Sequence, residues 1–88
     1  MNIEPKRSFL HDIKKITDPT VKMNVKEAIL SVKQANTLKD IPELRKLKGF
    51  KNAYRIKVGD YRIGMTIENG LVTFAILRHR KDIYKFFP

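Results

Sequence analysis

One stretch constrains this chain more than any other: Ala53 to Ile83, AYRIKVGDYRIGMTIENGLVTFAILRHRKDI. Its alternating residues are interrupted twice, at Gly59-Asp60 and at Asn69-Gly70, which predicts three short strands joined by two tight turns. Gly leading a two-residue loop suits a type II′ turn and Asn-Gly suits type I′, because both need positive φ. Two-residue loops then fix the register. In the first hairpin Val58 is expected opposite Tyr61, Ile56 opposite Ile63 and Tyr54 opposite Met65. In the second, Met65 is expected opposite Phe74, Ile67 opposite Val72 and Ile63 opposite Ile76. Side chains alternate with period two, so all of these share one apolar face.

The other face carries Arg55, Lys57, Arg62, Gly64, Thr66, Thr73, Ala75, Leu77 and His79. Lys57 is expected directly opposite Arg62. Like charges facing each other across a ladder cost roughly a few tenths to 1 kcal/mol. A sheet selected for stability alone would avoid that pairing, whereas one that holds a phosphate gains from it, because the anion relieves the repulsion on binding. Gly64 and Ala75 would leave the middle of this face low, as a shallow groove requires. An ordinary solvated surface accounts for any one of these cations; the cluster beside small residues favours anion binding.

At 88 residues the chain is expected to form one domain, residues 1–88. It has no cysteine, which excludes a disulfide scaffold and a thiolate metal site and fits a reducing compartment. Its two histidines, His11 and His79, are far apart in sequence, so neither metal nor cofactor is expected. No apolar run approaches the roughly 20 residues that span a bilayer, and no apolar segment follows the charges of MNIEPKRSF, so a cytoplasmic location is expected. The net charge of +10 is uneven. Residues 1–44 hold eight Lys or Arg against six Asp or Glu, whereas residues 45–88 hold eleven against three. This field favours a polyanionic partner, either nucleic acid or an acidic protein segment. An anionic membrane would also attract it, but no basic amphipathic helix with a large apolar face is present.

Upstream, Met1 to Glu4 reads as a short edge strand and Pro5 as the first turn of a helix carrying Phe9, Leu10, Ile13 and Ile16. Asp18-Pro19 reads as the cap and first residue of a second helix, with Val21, Val25, Ala28, Ile29 and Val32 on one stripe and an end near Gln34 to Asn36. Thr37 to Asn52 reads as a connector anchored by Leu38, Ile41, Leu44 and Leu47, with a helical turn at Pro42 to Arg45; Lys46, Lys48 and Lys51 fall on it. Arg80 to Phe87 has room for one or two helical turns, which would set Arg80 and Tyr84 on one side and bring them towards Arg62, with Ile83 and Phe87 packed inward. The expected order is β-α-α-β-β-β-α, an α+β domain with a helical hairpin packed on a small, mostly antiparallel sheet.

The polar face offers Arg55, Lys57, Arg62, Arg78, His79, Arg80 and Tyr84. It has no paired carboxylates for glycoside chemistry, no Ser or Cys in a nucleophile context and no glycine-rich phosphate loop. Such a cationic set suits binding a phosphodiester, stabilising added negative charge at phosphorus and moving protons. RNA brings its own nucleophile, the 2′-OH; DNA in the same site would be bound without being cut.

The run YRIKVGDYRIG at Tyr54–Gly64, followed by LRHRKDIY at Leu77–Tyr84, resembles the RelE/ParE superfamily of type II toxin–antitoxin toxins, over nearly the whole chain. That resemblance implies a RelE-like fold. For the RelE branch it implies a ribosome-dependent endoribonuclease that cuts mRNA by 2′-OH attack, inhibits translation and is itself inhibited by a cognate antitoxin. Carried onto this chain, it implies catalytic roles for Lys57, Arg62, Arg80 and Tyr84. Lys57 would accept the 2′-OH proton, Arg62 clamp the phosphate, Arg80 stabilise charge or donate a proton, and Tyr84 orient a base. Arg78 is a second alignment for the C-terminal arginine. Arg55, Arg78 and His79 would contact RNA; Lys48 and Lys51, by their place on the connector, would line an RNA-binding rim of the basic face or simply be solvated. Arg55 departs from the lysine usual in the family, and an arginine is a poor base because its pKa stays above roughly 12. The ParE branch, with the same fold and DNA gyrase as target, is the alternative, as is a member that only binds RNA or antitoxin.

Overall fold

The computed structural model describes residues 1–88. The chain folds as β1 (Asn2–Pro5), α1 (Arg7–Lys15), α2 (Pro19–Gln34), a 3-10 turn (Leu38–Asp40), β2 (Leu44–Lys46), β3 (Ala53–Val58), β4 (Tyr61–Glu68), β5 (Leu71–His79) and α3 (Ile83–Phe86). The five strands form one sheet in the order β1-β5-β4-β3-β2, antiparallel except for the β1–β5 pair. The α+β class and the helical hairpin on the sheet agree with the sequence reading.

Both hairpin turns follow from their residues. Gly59 has φ +57°, while Asn69 and Gly70 have φ of 50° and 77°. The side chain of Asp18 accepts the Thr20 amide at 2.8 Å and Pro19 opens α2, the pairing of cap and first residue expected there. Pro5, by contrast, does not start a helix. It is the last residue of β1, an edge strand where its missing N–H costs little, and the Lys6 amide bonds Phe74 O at 2.8 Å before the chain turns into α1.

The connector departs further from expectation. Pro42 to Arg45 forms no helical turn; Glu43 has φ 61°, which breaks a helix, and Leu44–Lys46 pairs with β3 as a fifth strand. Just before it, the Asp40 carboxylate accepts the amides of Thr37 and Asn36 at 3.0 and 3.1 Å. Those bonds hold its pKa below the ordinary value, the Thr37 amide first.

The main core lies between the hairpin and the sheet. Phe9 stacks on Phe74 with ring centroids 5.2 Å apart, and Val25, Val32, Ile56, Ile63, Met65, Val72 and Leu77 surround them. A smaller core lies on the opposite face, where Ala53, Ala75 and Ile76 receive Ile83 and Phe87 from α3 and the residue after it. Here the expected groove of small residues is not a groove. A Cβ added to Gly64 would stand 2.7 Å from the Phe87 ring, so the low ground is where an aromatic side chain seats. No helix is long and apolar enough to cross a membrane.

Candidate functional site

The site is organised by a bulge. The first hairpin pairs as expected, and in the second Met65 meets Phe74 and Ile67 meets Val72. The ladder then shifts: Gly64 pairs with Ile76 and Ile63 with Leu77, not with Ile76, which leaves Ala75 as the extra residue. A bulge reverses the in–out parity of the strand beyond it. Leu77 therefore joins the main core, and His79 lies opposite Tyr61 rather than on the polar face. Ile76 and Arg78 take the polar face instead.

Side chains of α1 meet the bulged edge. Strand β1 pairs with β5 only as far as Phe74, so beyond that residue β5 has a free edge. Ser8 and Asp12, one helical turn apart, meet it: Ser8 Oγ donates to Ala75 O at 2.6 Å and Asp12 Oδ2 accepts the Leu77 amide at 3.0 Å. Asp12 is 4% exposed and also accepts from Arg78 Nε at 3.2 Å.

The outcome is a row of three cations across three strands. Lys57 on β3 faces Arg62 on β4, which faces Arg78 on β5. Facing Cα atoms in an antiparallel pair are about 5 Å apart. In the next row Arg45 faces Arg55, which faces Gly64. Lys57 is exposed. Arg62 folds over the turn, Nη1 donating to Gly59 O at 2.8 Å and Tyr61 O at 2.9 Å, which leaves Nη2 and Nε for a ligand. Arg55 Nη1 donates to Glu43 O at 3.0 Å.

The other sequence-predicted residues are placed less uniformly. Arg80 lies at the same turn as Arg62: its amide donates to Asp60 O at 2.7 Å, and its Nε stands 3.9 Å from Asp60 Oδ1 in an exposed pair. Arg80 precedes α3, so it does not share a helix face with Tyr84; the turn at Arg80–Asp82 intervenes. Tyr84 stands exposed on α3. His79 Nδ1 accepts the Lys81 amide at 3.2 Å and its ring meets Tyr61 edge-on, so it closes the turn after β5. Lys48 and Lys51 sit in the β2–β3 loop, at the opposite end of β3 from Lys57, roughly 20 Å away for six residues of extended chain. Lys46 pairs with Tyr54, whose parity is that of the helix side.

Sequence reasoning missed Asp12, Phe86 and Arg45. Asp12 leaves a trace: it falls between Phe9 and Ile16 at helical spacing, a carboxylate inside an apolar stripe. Phe86, whose ring centroid lies 4.4 Å from Arg78 Cζ, leaves none.

The family model for the ParE toxin of type II toxin–antitoxin systems, parDE, matches residues 3–84. Toxin RelE3 of Methanocaldococcus jannaschii is 35% identical over 83 residues, 93% of this chain and 93% of that toxin. This chain belongs to the RelE/ParE superfamily of type II toxin–antitoxin toxins. Among solved structures, the toxin is similar to a chain of the RelB-RelE antitoxin-toxin complex from Methanococcus jannaschii, with TM-score 0.79, 32% identity and coverage of 96% of this chain and 98% of that one. The YoeB dimer from Staphylococcus aureus shares the fold at 19% identity, with TM-score 0.72 and coverage of 90% and 95%.

The largest concavity of the toxin, about 390 Å³, lies away from the cationic row. Ile13, Ile16, Val25, Ile29 and Leu77 line it between α1 and α2, and Lys14, Lys22 and Lys26 stand at its rim.

Proposed function

We propose that this toxin is a RelE-like endoribonuclease that cuts mRNA on the ribosome. The observation that carries the reading is the Lys57–Arg62–Arg78 row, three cations kept side by side where a ladder built for stability would alternate charge. A phosphodiester laid across it receives charge-assisted hydrogen bonds from both arginines. In the reaction Lys57, acting in its neutral amine form, accepts the 2′-OH proton and becomes the ammonium, the 2′-oxygen attacks phosphorus, and the bond to the 5′-oxygen breaks. Arg62 stabilises the charge that builds on the phosphoryl oxygens, and Arg80 at the same turn hands a proton to the leaving 5′-oxygen, regaining one from solvent as Lys57 releases the one it took. Tyr84, exposed beside this end of the chain, stacks on a base. No residue is required to act as nucleophile, which fits a site without Ser or Cys.

The cognate antitoxin is the expected protein partner. An acidic, amphipathic segment fits the apolar groove between α1 and α2, where three lysines rim six hydrophobic residues, and a second acidic segment fits the cationic row. Co-expression with the neighbouring reading frame, followed by co-purification, tests this; a toxin that retains nothing encoded beside it counts against it.

Toeprinting on programmed ribosomes tests the nuclease reading. Wild type is expected to cleave the message and Arg62→Ala to leave it intact; intact message with both overturns the proposal. A second reading, inhibition of DNA gyrase, is favoured by the match to the ParE family model. It predicts loss of supercoiling activity and double-strand breaks, with translation affected only later.

A further inference from the structure

We propose that Asp12 is a positioning residue of this site, fixing Arg78 so that its two terminal nitrogens meet the substrate phosphate. The inference rests on the nuclease reading and extends it to a helix that carries no substrate contact.

Arg78 is the one member of the row whose head group is held by both a buried carboxylate and an aromatic ring. Its Nε donates to a carboxylate that is 4% exposed, and its Cζ lies 4.4 Å above the centre of the Phe86 ring. The side chain is still 33% exposed. Nε is thus committed to Asp12 while Nη1 and Nη2 remain for an anion, the fork that pairs with two phosphoryl oxygens. An unrestrained arginine would surrender its rotameric freedom each time it met a phosphate. Here that loss is taken on folding, so more of the binding energy is left for the transition state.

The same carboxylate oxygen accepts the Leu77 amide at 3.0 Å. Asp12 therefore ties the backbone of β5 just past the bulge and the guanidinium of the next residue to one point on α1. The bulge turns Arg78 towards the polar face, and Asp12 and Phe86 set where its head group stops. Arg80 has no such support; its only ionic partner is the exposed Asp60 at 3.9 Å.

Asp12→Asn is the discriminating variant, because it keeps an oxygen for the Leu77 amide and removes the negative charge that faces Arg78. Three measurements are made on the whole toxin. First, the Arg78 Nε–H proton, assigned with Arg78→Lys, is expected to exchange with water at least tenfold faster in Asp12→Asn, with the amides of Ile63 and Met65 unchanged. Second, single-turnover cleavage on ribosomes is expected to fall about tenfold in rate at saturation, with little change in half-saturation because contacts with the ribosome rather than with one phosphate set it there, and Asp12→Asn/Arg78→Ala is expected to be no slower than Arg78→Ala alone. Additive losses, or a full rate in Asp12→Asn, overturn the proposal. Third, binding of a 2′-deoxy oligonucleotide, which lacks the nucleophile, is expected to weaken several-fold in Asp12→Asn. If wild type does not cleave, the nuclease reading fails while the exchange and oligonucleotide arms still decide the role of Asp12. Unchanged exchange or unchanged affinity there overturns it.

Discussion

Lys57 and Arg62 face one another across the β3–β4 ladder, with Arg78 beyond Arg62 on β5. Two like charges at that spacing repel, while Arg78 is paired with the buried Asp12 carboxylate. The uncompensated repulsion therefore lies between Lys57 and Arg62, and a polyanion bound there would relieve it.

Replacing Lys57 by Met separates stability from function. The variant is expected to gain a few tenths to about 1 kcal/mol in urea denaturation at low salt. That gain should vanish near 1 M salt, where the screening length falls to about 3 Å. RNA binding should weaken at the same time, with the log–log salt slope reduced by about 0.7 for the lost cation. A variant that is less stable at low salt would mean that Lys57 makes a favourable contact in the folded state.

Gly64 is held by close approach and not by its backbone, because among the four glycines only Gly49, Gly59 and Gly70 have positive φ. An added methyl would stand 2.7 Å from Phe87 in the middle of the small core. Gly64→Ala is expected to destabilise the toxin by about 1–3 kcal/mol, the usual cost of forcing extra volume into a packed site. Because Phe86 adjoins Phe87 and backs Arg78, cleavage should fall as well. Phe87→Leu in the same chain should recover part of both losses. Denaturation midpoints and cleavage rates of the four proteins check this.

Asp40 gives the toxin a small acid sensitivity at the connector. Amides of Thr37 and Asn36 hold its pKa below the ordinary 3.8. A folded value lower than the unfolded one contributes stability that is fully present above pH 3.8. That stability is lost as pH falls through the lowered folded value. In an NMR titration the Thr37 and Asn36 amide shifts should move with a midpoint below 3.8, and Asp40→Asn should abolish the transition. A midpoint at or above 3.8 would mean that the carboxylate is not held by these amides in solution.

Local chemistry made part of this legible in advance. Gly59, Asn69 and Gly70 specify their turns by φ alone, and Asp18-Pro19 specifies a helix start, so each could be read from two residues. The Lys57–Arg62 pairing followed from the first turn. Strand β2 was not legible because Leu44, Arg45 and Lys46 show no alternation and exist as a strand only by pairing with a segment ten residues on. Gly64 and Ala75 mark low ground in the sequence, but no groove results, because the residue that fills it, Phe87, lies 23 residues beyond Gly64. Asp12 marks the limit most clearly. Its place in the apolar stripe of α1 was visible, while its partners on β5 depend on where β1 stops.

The bulge at Ala75 is the feature on which the site and the core both depend. In a regular strand the alternation set by Phe74 and Val72 would turn Ile76 towards Ile63 and expose Leu77 and His79 beside Arg62. The shift at Gly64–Met65 instead buries Leu77 at 3% exposure and presents Arg78. Leu77→Ala distinguishes the two arrangements. A leucine removed from a packed core costs about 2–5 kcal/mol, whereas one removed from an exposed strand face costs less than about 0.5 kcal/mol. We expect the larger loss, measured by urea denaturation. Deleting Ala75 is the complementary change: it removes the extra residue yet leaves Ile76 opposite Gly64 and Leu77 opposite Ile63. The deletion should therefore fold with its main core intact and lose the Ser8 bond, the added twist and one methyl of the smaller core, and it should cost less than Leu77→Ala. The reverse order would mean that the strand runs without a bulge in solution, and with it the cationic row would lose Arg78.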